Sequence, residues 1–326
     1  MNEKNYYFST KSVSKICLFL LFIYLCYYSR TIEIFQKFKI ANLKVCLCTL
    51  GKEENKYINE FVEHYKKFGV DKIYLYDNND IEGERFDKVI DKYIQSGFVE
   101  LSDWRGIRSN ETYYDIMNSC YQLYHDQYDW MIFYELDEFL YLKDYINIKD
   151  YLIQKRFDKC DSIQLNWVHM SDNNNYFYEN KPLSERFPLK GKNIRKNKRN
   201  KICYVKTIIR GHLKNISITD NHLLSETIKS CNGFGKKSRL KNITTLNPDY
   251  QYYYIKHYYG KTVQEFVDKI KRGDLIRGNS SKTIEWAIEK FFYINKITSK
   301  KIKYIKNNLG SDYNLSKYIQ KLKKKL

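Results

Sequence analysis

The run Trp130-Met131-Ile132-Phe133-Tyr134-Glu135-Leu136-Asp137-Glu138-Phe139-Leu140 decides how this chain is read. It opens as an uninterrupted apolar stretch of strand length, the pattern of a strand buried on both faces of a parallel sheet. It then delivers three acidic residues almost together. Glu135 and Asp137 are two apart, so on an extended chain their side chains leave the same side. Two convergent carboxylates at the end of a buried strand are costly unless a cation lies between them. A hard divalent ion with oxygen ligands meets that need, which makes Glu135-x-Asp137 a candidate metal site. The alternative is an acidic strand end that faces solvent.

Working outward, strands and helices alternate. Leu43–Thr49 is expected as a first strand, followed by the polar loop Leu50–Asn55. A helix comes next, with Ile58, Phe61, Val62, Tyr65 and Phe68 at helical spacing and Gly69 as its terminator. Ile73–Tyr76 reads as a second strand ending in Asp77-Asn78-Asn79-Asp80. A helix from Phe86 to Gln95, a short strand Phe98–Leu101 and a helix from Thr112 to His125 lead into the acidic run. Alternation with short loops predicts an α/β fold with a doubly wound, mostly parallel sheet. Ligands of such sheets bind where loops leave the carboxyl ends of the strands. Three polar loops lie at such ends: Thr49–Glu54 (with Lys52), Asp77–Asp80 (with Asn79), and Glu135–Glu138.

Beyond the acidic run, Tyr145–Arg156 reads as a helix and Ser162–Val168 as a strand, with His169, Ser171 and Asp172 at its exit. Lys190–Lys201 is a basic stretch without apolar periodicity, expected as a loop. Tyr204–Arg210 and Tyr252–Tyr259 read as strands, Thr262–Arg272 as a helix closed by Gly273, and Thr283–Leu326 as Lys-rich helix. At the other end, Ile16–Tyr28 is apolar and aromatic and is preceded by Lys4, Lys11 and Lys15. It is read as an uncleaved signal anchor in a membrane, with a buried helix as the alternative. The expected division is thus 1–42 for tail, anchor and stem, 43–275 for a catalytic domain, and 276–326 for a basic helical extension. That extension packs beside the domain, lies on an anionic membrane or is solvated.

The chain has 326 residues and a formal net charge of +19. Such a charge invites a polyanion-binding reading. Lys is abundant along the whole chain, however, and no aromatic–basic recognition motif appears, so nucleic acid is not an expected partner. A nucleotidyltransferase or phosphohydrolase is a third class, but no Gly-rich loop precedes a Lys-Ser/Thr pair. The eight cysteines contain no C-x-x-C pair. Cys46 and Cys48 alternate on the first strand and read as core.

The order of these segments resembles the glycosyltransferases grouped as family 2-like and family 92-like, which have the A-type nucleotide-sugar fold. The likeness rests on Lys52-Glu53-Glu54 after the first strand, His64-Tyr65 with Gly69-Val70, Tyr76-Asp77-Asn78-Asn79, and Glu135-Leu136-Asp137-Glu138-Phe139. It continues in Lys256-His257-Tyr258-Tyr259-Gly260-Lys261, Glu265-Phe266 and Lys271-Arg272-Gly273. Two positions depart from the pattern: Glu135 stands for the usual Asp, and Glu53 for the usual Asn.

The resemblance implies transfer of a sugar from a nucleotide-sugar donor, a UDP-sugar, to a hydroxyl of a glycan, lipid-linked or protein-linked acceptor, with inversion. It implies Mn²⁺ or Mg²⁺ on Asp137, with Glu135 touching ribose or metal and His257 a further metal or diphosphate contact; the alternative for His257 is packing among tyrosines. Asp77 would accept from the donor's base or ribose, and Thr49, Lys52, Glu54 and Asn79 would line the nucleotide. An inverting step needs a base near the acceptor hydroxyl. Asp172 is the first candidate and Asp220 with His222 the second, each with a turn residue as the alternative reading. A catalytically inactive relative is the last alternative.

Overall fold

The computed structural model describes residues 10–107, 112–192, 195–197, 200–218, 228–238, 244–245, 248–273 and 284–309. Asp220 and His222 lie outside them, as do most residues of the expected 276–326 extension that flank its helices. The chain divides into two compact units, 1–43 and 44–326.

The first unit carries helix α1, Thr10–Asn42. Among its described side chains, Phe22 and Tyr27 are exposed. Among the described residues no helix is long and apolar enough to cross a membrane, so the spanning anchor expected at Ile16–Tyr28 is not supported. The reason is length. A 13-residue apolar run rises only about 20 Å as a helix, against a hydrocarbon core of about 30 Å.

The second unit begins with β1 (Val45–Gly51), α2 (Asn55–Lys67), β2 (Lys72–Asp77), α3 (Asp87–Gln95), β3 (Val99–Asp103), α4 (Thr112–Tyr124) and β4 (Trp130–Phe133). Here the expected alternation holds almost element for element. β1 pairs in parallel with β2 on one side and with β4 on the other, and β2 pairs in parallel with β3. All seven residues of β1 are buried, as a strand covered on both faces requires. Cys46, Cys48, Tyr74 and Phe133 of the sheet pack with Met117, Cys120 and Tyr121 of α4. Gly69 and Gly97, at φ +88° and +73°, end α2 and α3 as left-handed caps.

The second half departs from a doubly wound parallel sheet. It contains β5 (Glu138–Leu142), α5 (Ile148–Leu152), β6 (Ser162–His169), α6 (Leu183–Arg186), β7 (Arg195–Asn197), β8 (Asn200–Arg210), β9 (Ser230–Asn232), β10 (Thr244–Thr245), β11 (Tyr253–His257), α7 (Val263–Arg272), α8 (Ile284–Ile294) and α9 (Ser299–Leu309). The strand order is β3-β2-β1-β4-β8-β6-β11-β5. β8 runs antiparallel to both β4 and β6, and β5 antiparallel to β11. The sheet is therefore mixed.

Three local expectations change. The helix over 145–156 shrinks to α5 and one 3₁₀ turn, because Asn147 caps α5 by accepting from Lys149 N at 2.8 Å. In the basic stretch, β7 pairs antiparallel with the start of β8, so that strand begins at Asn200 instead of Tyr204. The helices α8 and α9 pack on α7 through Phe266, Ile288, Phe291, Ile302 and Ile305.

The cysteines are also more than core filler. Cys48 is bonded to Cys120 and Cys160 to Cys231, while Cys46 stays a buried thiol. The first bridge ties β1 to α4, and the second ties the lead into β6 to β9.

Candidate active site

The acidic run does not continue as one strand. β4 stops at Phe133 and β5 starts at Glu138, and a turn lies between them, with Glu138 N donating to Glu135 O at 3.0 Å. The backbone of Glu135 donates in turn to Glu138 Oε2 at 3.0 Å. The carboxylates thus converge because the chain folds back, and the alternation of an extended strand plays no part. A strand that kept both carboxylates in the sheet would bury them without donors; the turn supplies backbone N–H groups at once.

Three neighbours hold this turn. Gly51, at the end of β1, leaves space for it: a Cβ there would lie 2.2 Å from Leu136 Cδ1. The buried Tyr65 hydroxyl of α2 donates to Glu138 O at 2.8 Å and accepts from Leu140 N at 3.1 Å. Tyr258 N, just past β11, donates to Asp137 O at 2.9 Å. The antiparallel register then sets His257 opposite Glu138, and the parallel register sets His257 beside His169.

Glu135, Asp137, Glu138 and His257 each offer a ligand atom within 4.8 Å of the others. His257 Nε2 lies 3.5 Å from Asp137 Oδ1. Around them stand cations that composition did not single out. Lys206 of β8 is fully buried, 2.7 Å from Glu135 and 3.3 Å from Glu138. Lys269 of α7 reaches Asp137 Oδ2 at 3.0 Å. Lys261 and Arg272 meet Glu54 at 2.7 and 3.0 Å.

These pairs decide the charge states. Burial opposes ionisation of Asp137, but Lys269 and His257 outweigh it and hold the carboxyl well below its usual range. For Glu135 burial likewise loses, here to Lys206, and the group falls to about 2. Glu138 goes the other way: burial wins over Lys206 and pushes it to about 8. Burial also pushes His257 down against the pull of Asp137, toward the neutral imidazole that ligates metals. Two ionised carboxylates, a third acidic oxygen and a neutral imidazole form a donor set that could hold a divalent metal ion.

The loops at the β1 and β2 ends join the same edge. Gly51 is in register with Asp77. Asp77 is buried and accepts from Asn79 N and Nδ2 at 3.0 and 2.7 Å; burial raises its pKa. Asn79 Oδ1 accepts from Glu53 N at 2.6 Å. Glu53, at φ +53°, thereby serves through its backbone, and its side chain is exposed. Lys52 pairs with Asp80 at 3.1 Å, and Arg272 donates to the Lys52 and Glu53 carbonyls. Thr49 is buried, and its hydroxyl has no hydrogen-bond partner among the described residues. A cleft of about 500 Å³ opens beside this loop, lined by Glu54, Tyr57, Tyr259, Lys261, Lys269 and Arg272.

Asp172 is placed differently. It is buried, ion-paired with Lys301 of α9 at 2.5 Å, and accepts from Asn174 N at 3.0 Å. Its own N–H donates to Asn295 Oδ1 at 2.7 Å. It ties the exit of β6 to α8 and α9.

A family model, glycosyltransferase family 92, matches residues 41–313, most of the chain. The chain belongs to glycosyltransferase family 92. A family 92 protein of Ricinus communis is 25% identical over 108 residues, which is 33% of this chain and 19% of that one. A second match to a protein of that name is 26% identical over 100 residues, 30% of this chain and 16% of the relative. The chain thus spans less than a fifth of the curated relative's length in either match. Among solved structures, S. aureus TarS is 13% identical over 87% of this chain and 53% of that one, with a TM-score of 0.35. TarS 1–349 in complex with UDP is 14% identical over 42% of this chain and 38% of its own, with a TM-score of 0.30. Likeness this loose assigns no residue of this family 92 chain a role.

Lys206 was legible in one respect: it is a lone charge in the apolar strand Val205-Lys206-Thr207-Ile208-Ile209, and a Lys there needs a carboxylate across the sheet. Lys269 and Arg272 carried a weaker signal, three apart on one face of α7.

Proposed function

We propose that this family 92 chain is a metal-dependent glycosyltransferase that moves a sugar from a nucleotide-sugar donor, a UDP-sugar, to an acceptor hydroxyl with inversion. The observation that carries the reading is the cluster of Glu135, Asp137, Glu138 and His257 at the carboxyl edge of the sheet. It sits where strand order reverses around β1, the usual ligand site of such sheets. Asp137 and His257 would hold the metal, with Glu135 beside them. When bound, the ion neutralises charge that develops on the departing diphosphate.

The chain's own residues supply the rest. The 52–54 loop and Asp77 line the nucleotide, with Asn79 fixing both through its side chain. The cations on the cleft face the diphosphate. The base of the inverting step is proposed among Asp172, Asp220 and His222; Asp172 would first have to release Lys301. The two disulfides support folding in an oxidising compartment.

The test is nucleoside diphosphate release from a panel of UDP- and GDP-sugars, with Mn²⁺, with EDTA and with Asp137→Ala. We expect turnover with Mn²⁺ that EDTA abolishes and that Asp137→Ala lowers by at least about 100-fold. Turnover that survives both treatments contradicts the reading.

A further inference from the structure

The acidic edge is already neutralised from within. Glu54, Glu135, Asp137 and Glu138 face Lys206, Lys261, Lys269 and Arg272. Three of these cations are locked. Lys206 has no exposed side-chain surface and bridges two carboxylates. Lys261 and Arg272 are 7% and 9% exposed and share the buried Glu54, and Arg272 also donates to two loop carbonyls. Lys269 differs: it is 30% exposed, contacts Asp137 Oδ2 from the cleft side and otherwise donates only to the Tyr259 carbonyl, at 3.2 Å, among the described residues.

Its backbone has no freedom to retreat. The capping box of Thr262 and Glu265 anchors the start of α7, and Phe266 and Val267 are buried in the core beneath it. The four-carbon stem of a lysine can swing its ammonium without moving the helix. A divalent ion on Asp137 would share this one carboxylate with the Lys269 ammonium, and the two like charges repel at such short range.

We propose that Lys269 is a resident counter-ion that leaves Asp137 when the divalent cation binds and turns to the donor's diphosphate. The inference rests on the function proposed above and extends it. The ammonium keeps the buried carboxylate compensated while the site is empty of cation. A divalent ion on Asp137 would leave excess positive charge at this edge, and the diphosphate with Lys269 on it absorbs that excess. Metal and donor therefore bind cooperatively, and Lys269 links them.

Calorimetry of the full chain with Mn²⁺ alone, and with UDP in the presence of Mn²⁺, tests this against Lys269→Gln. Removing the competing cation should tighten Mn²⁺ binding about tenfold and weaken UDP binding about tenfold. A second readout uses the unmodified protein, so it survives a variant that fails to fold. Acetylation of Lys269 by acetic anhydride, followed by peptide mass spectrometry, should rise when Mn²⁺ is added and fall again when UDP joins it. Equal Mn²⁺ affinity in wild type and Lys269→Gln, or acetylation unmoved by Mn²⁺, overturns the proposal while a wild-type protein that binds both ligands leaves the function standing. A protein that binds neither Mn²⁺ nor UDP, with or without Lys269, overturns both.

Discussion

Lys206 shows how one residue can hold an acidic site together before any ligand arrives. Its ammonium is the buried partner of two carboxylates from opposite ends of one turn. Removing one member of a buried charge set leaves the others uncompensated, which costs about 3–5 kcal/mol. Lys206→Met should therefore lower the guanidinium unfolding free energy by about that amount, far more than a surface lysine would. A loss below about 1 kcal/mol, the scale of an exposed pair, would mean that the carboxylates take up protons at little cost. The candidate site was half legible at this scale. Acidic residues advertise themselves by spacing, and Glu135, Asp137 and His257 do come together. Their compensating lysines do so less, because Lys is common throughout this chain: Lys206 stands out only as a lone charge in an apolar strand, and its partners are set by tertiary contact. Asp172 lies at the exit of β6 as the sequence indicates, and Lys301, far along the chain, pairs with its carboxylate, a partner no spacing announces.

At the scale of elements, α2 and β5 form the platform on which the acidic turn rests. His64 of α2 meets Leu140 O at 3.2 Å, and burial lowers its pKa to about 4. The unfolded chain binds a proton at the ordinary histidine value, near 6.5, before the folded chain does. Stability from this group is complete above that value and is lost as the pH falls toward 4, by up to about 3 kcal/mol. Unfolding midpoints measured from pH 7 to 4 should drop more steeply in wild type than in His64→Gln. Parallel slopes would remove His64 from this role. Element type was readable for β1 through β4, where strands buried on both faces alternate with amphipathic helices. After Glu138 it held for β6, β8, β11 and α7, and it missed the antiparallel pairing and short segments such as Arg195–Asn197, Ser230–Asn232 and Thr244–Thr245. No side-chain period announces that kind of strand.

For the whole second unit, two cross-links join parts of the chain 72 and 71 residues apart. Loops of that length restrict the unfolded chain by about 4 kcal/mol each in the chain-entropy view. Reduction in mild denaturant should lower the thermal midpoint by tens of degrees in total, and non-reducing mass spectrometry should recover the peptides of Cys48 with Cys120 and Cys160 with Cys231. Cysteine spacing concealed both bonds, since each partner lies in a different element that only the fold brings near. The same long-range closure builds the site: β1, the β4–β5 turn, β8, β11 and α7 each contribute, from Thr49 to Arg272. On the function proposed above, this convergence holds a divalent ion against the donor. Crystals grown with Mn²⁺ and UDP, measured for manganese anomalous scattering, test it most directly. A peak is expected within bonding distance of Asp137 and His257, with the diphosphate on its open side toward Lys269. A peak elsewhere, or UDP bound with no metal near Asp137, would contradict it.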